Sequence, residues 1–145
     1  MLRRLARPLG LGHRWPAKDL SPGKQLGARG EALAARYLRR NGYRILARTA
    51  RVPMGEADLI AQDRATGAFV LVEVKSRRAP GPDEPPLPPE LNIDAPKRAK
   101  LRSSLRHLAK ANRWPAERCR IDVVAVELDP AGKRAMAIRH HRGAV

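Results

Sequence analysis

Asp58, Glu73 and Lys75 are the residues of this sequence whose types and spacing could do chemistry. They lie in MGEADLIAQDRATGAFVLVEVKSRR, residues 54–78, where the apolar run Phe69-Val70-Leu71-Val72 leads straight into Glu73, Val74 and Lys75. Taking an unpaired ion out of water costs several kcal/mol even after relaxation, so charges placed there need a partner. The stretch reads as a β-hairpin. With 64–67 as a four-residue loop, Asp63 faces Ala68. The register then sets Ala57 opposite Val74, Leu59 opposite Val72 and Ala61 opposite Val70 on one apolar face. On the other face Ile60 meets Leu71, Asp58 meets Glu73 and Glu56 meets Lys75.

Like charges directly opposite each other destabilise a sheet by a few tenths to ~1 kcal/mol. A hard divalent cation between Asp58 and Glu73 reverses that penalty. Mg2+, with Mn2+ as a substitute, takes one or two carboxylates, keeps several waters and is completed by substrate phosphate. Asp58 and Glu73 are the expected metal ligands, with the backbone carbonyl of Val74 as a third. Lys75, one pleat repeat beyond Glu73, would hold the attacking water or stabilise charge building on a phosphate. Glu31 and Glu56 would join through metal-bound water. The bland alternative is a solvated strand end in which Lys75 bridges Glu73 and Glu56. Placement between apolar strands in a strongly cationic chain favours the metal site.

That charge is large: 30 Lys plus Arg, of which 23 are Arg, against 14 Asp plus Glu give a net +16 over 145 residues. Such an excess fits a polyanionic partner, nucleic acid or an anionic membrane surface. No apolar run approaches the ~20 residues needed to span a bilayer. A basic protein on RNA or on an anionic membrane surface would explain the charge but not the hairpin, so nucleic acid, DNA in the first place, is the expected partner. Arg77, Arg78, Lys97, Arg102, Arg106 and Lys110 are the expected phosphate contacts, gripping the backbone without reading bases. Cys119 is the only cysteine, which excludes an intrachain disulfide and zinc-finger spacing and fits a reducing, cytoplasmic setting. It reads as a small core residue of a strand.

The elements that must position these residues follow from periodicity. Residues 1–22 are basic and interrupted by Pro and Gly, and read as a disordered tail; 23–140 read as one domain. Leu26, Gly30, Leu33, Ala34 and Tyr37 recur at helical spacing until Asn41-Gly42 stops them. A short strand over 43–48 precedes the hairpin. Residues 79–93 hold six prolines and read as a mobile loop. A second helix starts at an Asp94 or Ala95 N-cap, with Pro96 in its first turn and Leu101, Leu105, Leu108 and Ala109 as its core stripe. CRIDVVAVEL, 119–128, is apolar on both faces and reads as a central parallel strand, and RAMAIRHH as an edge strand. The order α-β-β-β-α-β-β, with the second helix as a crossover, predicts an α/β sandwich with a mixed central sheet flanked by helices.

The remaining chemistry-bearing residues are assigned structural roles. His140 and His141 read as solvated, Ser103 and Ser104 as ordinary helix residues, and Asp122 as a structural carboxylate because it lies outside the hairpin. The few aromatics argue against a base-stacking platform.

GEADLIAQD followed by FVLVEVKSRR, with GARGEALAARYLRRNGYRIL before and IDVVAV after, resembles the uncharacterised bacterial YraN-type family over about residues 24–127. That family is assigned to the restriction-endonuclease-like, or PD-(D/E)xK, superfamily. The resemblance implies a restriction-endonuclease-like fold and a catalytic core of Asp58, Glu73 and Lys75, with Glu31 matching an acidic residue on the first helix. A similar constellation in archaeal Holliday-junction resolvases implies an endonuclease acting on branched DNA in recombination or repair, for which a homodimer would cut two strands. A binding protein that keeps the fold without cleaving is the alternative. This chain departs from the family at Thr49, where Asn is usual, at Ala57, where a larger apolar residue is usual, and in the long Pro-rich loop.

Overall fold

A computed structural model describes residues 22–145. The expected disordered tail, residues 1–22, lies outside them except for Pro22, which opens the first helix. Helix α1 (Pro22–Arg40) is followed by strands β1 (Tyr43–Val52), β2 (Gly55–Asp63) and β3 (Phe69–Arg78). Helix α2 (Ala95–Asn112), a single 3-10 turn (Ala116–Arg118), β4 (Cys119–Leu128) and β5 (Ala135–His141) complete the chain. The five strands stand in the sheet in sequence order. All neighbours are antiparallel except β3 and β4, which run parallel across the α2 crossover. This is the mixed sheet and element order the sequence predicts.

Alternation along the strands divides the core into two layers. Val70 and Val72 face α1, where Ala34, Ala35 and Leu38 pack with Leu59, Ala61, Val124, Val126 and Leu128. Leu71 faces α2, where Leu101 and Leu108 pack with Ala50, Val52, Ala57, Ile60 and Ile121. Each such fully buried aliphatic side chain is worth roughly 1.5–3 kcal/mol. α1 lies close against β3 because it presents Gly30, where a Cβ would sit 1.6 Å from Ser76 Oγ. α2 starts at Asp94, whose side chain accepts the Lys97 N–H at 2.8 Å, with Pro96 inside the first turn.

Three expectations about the strands and their ends need correction. β1 runs to Val52 rather than stopping at residue 48. The fold also continues past residue 140: the Ala144 N–H donates to the Ile121 carbonyl and Val145 packs on the α2 layer. Ala57 was expected beside Leu59, yet it packs in the α2 layer while Leu59 packs under α1. The alternation inverts in both strands between the pairs Arg48–Leu59 and Ala50–Ala57. Thr49 occupies that point on β1 with φ 50, a left-handed conformation that a β-branched residue rarely adopts. Asp58 occupies it on β2.

No described helix is long and apolar enough to cross a membrane.

Candidate active site

The hairpin register runs as expected from Gln62–Phe69 through Ala61–Val70 and Ile60–Leu71 to Leu59–Val72. There the backbone ladder ends. The expected pairs Asp58–Glu73 and Glu56–Lys75 do not form, and Glu56 instead stands opposite Arg51 of β1. The physical reason is that Asp58 replaces a ladder bond: its Oδ2 accepts the Val74 N–H at 2.8 Å. The carboxylate thus stands where a β2 carbonyl would accept, and no β2–β3 backbone pair follows Leu59–Val72. Because a strand residue directs its N–H and C=O to the same edge, the Val74 carbonyl also faces this opening.

Charges gather around the opening. Burial, then the neighbouring Glu73 and Glu31 carboxylates, push the Asp58 carboxyl up to about 7, against the Val74 hydrogen bond and Lys97. Glu31, from α1, is raised too: burial dominates, Glu56 and Glu73 add to it, and Arg48 and a Thr49 hydrogen bond oppose it. Thus Glu31, Glu56, Asp58 and Glu73 share one electrostatic neighbourhood. Lys75 lies two residues beyond Glu73 on β3 and is partly buried.

The expected phosphate contacts divide into two groups. Arg102, Arg106 and Lys110 line the exposed side of α2. Lys97, Arg77 and Arg78 are instead occupied within the protein. Lys97 Nζ holds Glu73 Oε1 at 2.9 Å, a bridge of α2 to β3 that the sequence did not reveal. Arg77 pairs with Glu90 at 3.2 Å and Arg78 with Glu84 at 3.0 Å, both acids of the 79–93 connection.

His140 and His141 correct a further expectation, because neither is simply solvated. His140 Nε2 donates to Asp122 Oδ2 and His141 Nε2 to Glu90 Oε2, both at 2.8 Å. Asp122, fully buried, also accepts from Arg120 Nε and from the Gly143 N–H, each at 2.9 Å, so its structural assignment fits the geometry. Cys119 stands at the start of β4, half-buried rather than in the core, with Sγ 3.3 Å from the Pro115 carbonyl.

The donor set at the opening is hard oxygen throughout. Among the described residues, no three His, Cys, Asp or Glu side chains sit close enough together to hold a metal ion. Two carboxylates and one backbone carbonyl nevertheless fit Mg2+, which takes few protein ligands and leaves the rest to water and phosphate. They would fit Zn2+ poorly, since it prefers nitrogen and sulfur.

Fold and site together define an α/β protein with acids from neighbouring strands gathered where the ladder of a mixed sheet ends. The chain belongs to the uncharacterised protein family UPF0102, whose model matches residues 30–126, in agreement with the YraN-type resemblance. A UPF0102 protein of Symbiobacterium thermophilum is 42% identical over 110 residues, spanning 76% of this chain and 88% of its own. One from Mycobacterium avium is 40% identical over 119 residues, spanning 82% and 88%. Among solved structures, a repair endonuclease from Pyrococcus abyssi aligns with a TM-score of 0.44 at 17% identity, over 79% of this chain and 42% of that one.

Proposed function

We propose that the protein is a metal-dependent phosphodiesterase that cuts nucleic acid, DNA in the first place. One observation carries the reading: two carboxylates from adjacent strands are held at the point where the ladder opens, with Asp58 poised to lose its proton near neutral pH. Buried acids with raised pKa values beside like charges cluster at functional sites, which supports this reading.

Asp58 and Glu73 would hold Mg2+, or Mn2+ in its place, with the Val74 carbonyl as the third protein ligand. Such a cation, when bound, lowers the pKa of water and neutralises charge on the scissile phosphate. Asp58 must release its proton first, so metal affinity rises with pH through about 7. Lys75 orients the attacking water or stabilises the phosphate oxygens. Glu31 and Glu56 accept hydrogen bonds from waters around the opening. Arg102, Arg106 and Lys110 grip the phosphodiester backbone from α2, and the resemblance makes branched DNA the first substrate to try.

Magnesium titration calorimetry with saturating DNA, on the wild type and on Asp58→Ala with Glu73→Ala, tests the reading. It is paired with a cleavage screen over linear and branched DNA. Heat and strand scission present in the wild type and absent in the double variant are the expected result. Identical behaviour of the two proteins would sink the mechanism.

The Lys97–Glu73 bridge favours a second reading, a binding protein that keeps the fold without cleaving. Its ammonium supplies from within the protein the positive charge a metal would bring. DNA retained without metal and never cut would select that reading.

A further inference from the structure

The Pro-rich connection between β3 and α2 is tied to the sheet at several points, and the least exposed of its acids is Glu90. Glu90 is 12% exposed and receives three donors: Arg77 Nη2 and Arg139 on Oε1, and His141 Nε2 on Oε2. Arg77 also donates to the Pro88 carbonyl, and Arg139 to Glu127 at 3.0 Å, which fixes both guanidinium groups. Beside them, under the connection, is a cavity of about 450 Å³ lined by Arg77, Pro86, Leu87, Pro88, Glu90 and Glu127.

The register places these donors relative to Glu73 and Lys75. Glu73 pairs with Val123, and Val123 with His141; Lys75 pairs with Ala125, and Ala125 with Arg139. Partners across a ladder point to the same face, so His141, Arg139 and Arg77 share the face of Glu73 and Lys75. Two strand spacings, roughly 10 Å, separate Lys75 from Arg139. Two guanidinium forks and an imidazole converging on one carboxylate form an arrangement that fits a phosphate group equally well. A phosphodiester has the same charge and more acceptor oxygens.

We propose that Arg77, Arg139 and His141 form a phosphate-binding site beside the acid pair, and that Glu90 occupies it as an internal competitor until a nucleic-acid phosphate displaces it. The hydrogen bond from Arg139, with those from His141 and the field of Arg77, holds the Glu90 carboxyl down to about 2, so the competitor is always charged. The connection therefore reports on substrate. It rests on the site while nothing is bound and lifts when the backbone of a nucleic acid runs across β4 and β5. This inference deepens the nucleic-acid reading above but not its cleavage chemistry, and it stands if the protein only binds.

Anisotropy of a short labelled DNA duplex, measured with a chelator so that no cleavage intervenes, tests it. Glu90→Gln should bind about tenfold more tightly than the wild type. Glu84→Gln changes the charge equally in the same connection, but at Arg78, and should gain about twofold or less. Adding Arg139→Ala to Glu90→Gln should erase the gain and lower the salt slope by about one. In Glu90→Gln, inorganic phosphate should shift the imidazole signals of His141 and not those of His107, which is exposed on α2. Three results would overturn the proposal: a Glu90→Gln gain no larger than that of Glu84→Gln, a gain that survives loss of Arg139, or no binding of either DNA or phosphate by Glu90→Gln. Loss of cleavage alone would count only against the phosphodiesterase.

Discussion

Two carboxylate clusters share this sheet and are built in opposite ways. At one corner Asp122 is fully buried yet surrounded by donors from Arg120, His140 and Gly143. Burial pushes it towards protonation, but those hydrogen bonds outweigh it and hold the carboxyl below its usual range. Asp63 is likewise lowered, through the Ala65 N–H and the same Arg120, whose Nη2 also donates to the Tyr43 hydroxyl at 2.8 Å. At the opening between β2 and β3, burial has no such answer. Asp58 has one backbone donor and two acidic neighbours, and its carboxyl is raised. The difference teaches that burial alone does not mark a functional acid; burial without enough donors does. A charge that the fold leaves unsatisfied is one that a ligand can satisfy.

The sharpest way to break this comparison is at the satisfied corner. Asp122→Ala leaves Arg120, His140 and the Gly143 N–H without their shared acceptor, and should cost about 2–4 kcal/mol in urea unfolding. DNA cleavage per folded molecule should stay unchanged. Lost activity with intact stability would make this corner functional and erase the distinction.

At the unsatisfied corner the sign reverses. Unfolded Asp58 ionises near 3.8 and folded Asp58 near 7, so between those values unfolding releases a proton. Stability therefore falls as pH rises through that window, and the penalty is complete above it. Asp58→Asn should be more stable than the wild type at pH 8 by on the order of 2 kcal/mol, with the advantage gone below pH 4. Parallel urea curves at the two pH values check this, and a destabilised Asn variant at high pH would show that Asp58 is satisfied after all.

Thr49 sharpens the contrast from the backbone side. Asn tolerates φ 50 better than Thr does, so Thr49→Asn should raise stability by about 1 kcal/mol, read as a higher melting temperature. The smallest effect belongs to Lys97, whose side chain is 48% exposed. Lys97→Ala should change stability by less than about 1 kcal/mol. It should nonetheless strengthen Mg2+ binding by freeing Glu73, and calorimetry that found weaker binding would assign Lys97 to the site itself.

Much of this was legible in the sequence, for identifiable reasons. Leu59–Val72 and Ile60–Leu71 follow from period-two alternation and a turn length, and α2 from Asp94 followed by Pro96. The ladder's opening was hidden, because no pattern announces that an Asp will accept a backbone N–H from the next strand. Ala57 crossed to the other layer for the same reason. The Thr at a position where Asn is usual was a usable signal, since Asn there hints at a left-handed residue. His140 and His141 were misjudged because their partners, Asp122 and Glu90, lie 18 and 51 residues away in the chain. Local composition carries nothing at that range.

The strands stand side by side in the order they are synthesised, with consequences for how the chain folds. β1–β2–β3 and β4–β5 are each meanders of local antiparallel pairs, quick to close. Only the parallel pairing that begins at Phe69–Cys119 must join distant segments. The entropy of that one closure grows slowly, by about 0.6 kcal/mol for each doubling of loop length. The segment between β3 and α2 can therefore be lengthened or shortened at little thermodynamic cost to the sheet. What lies against Arg77 and Arg139 can be remodelled while the framework beneath keeps its folding route.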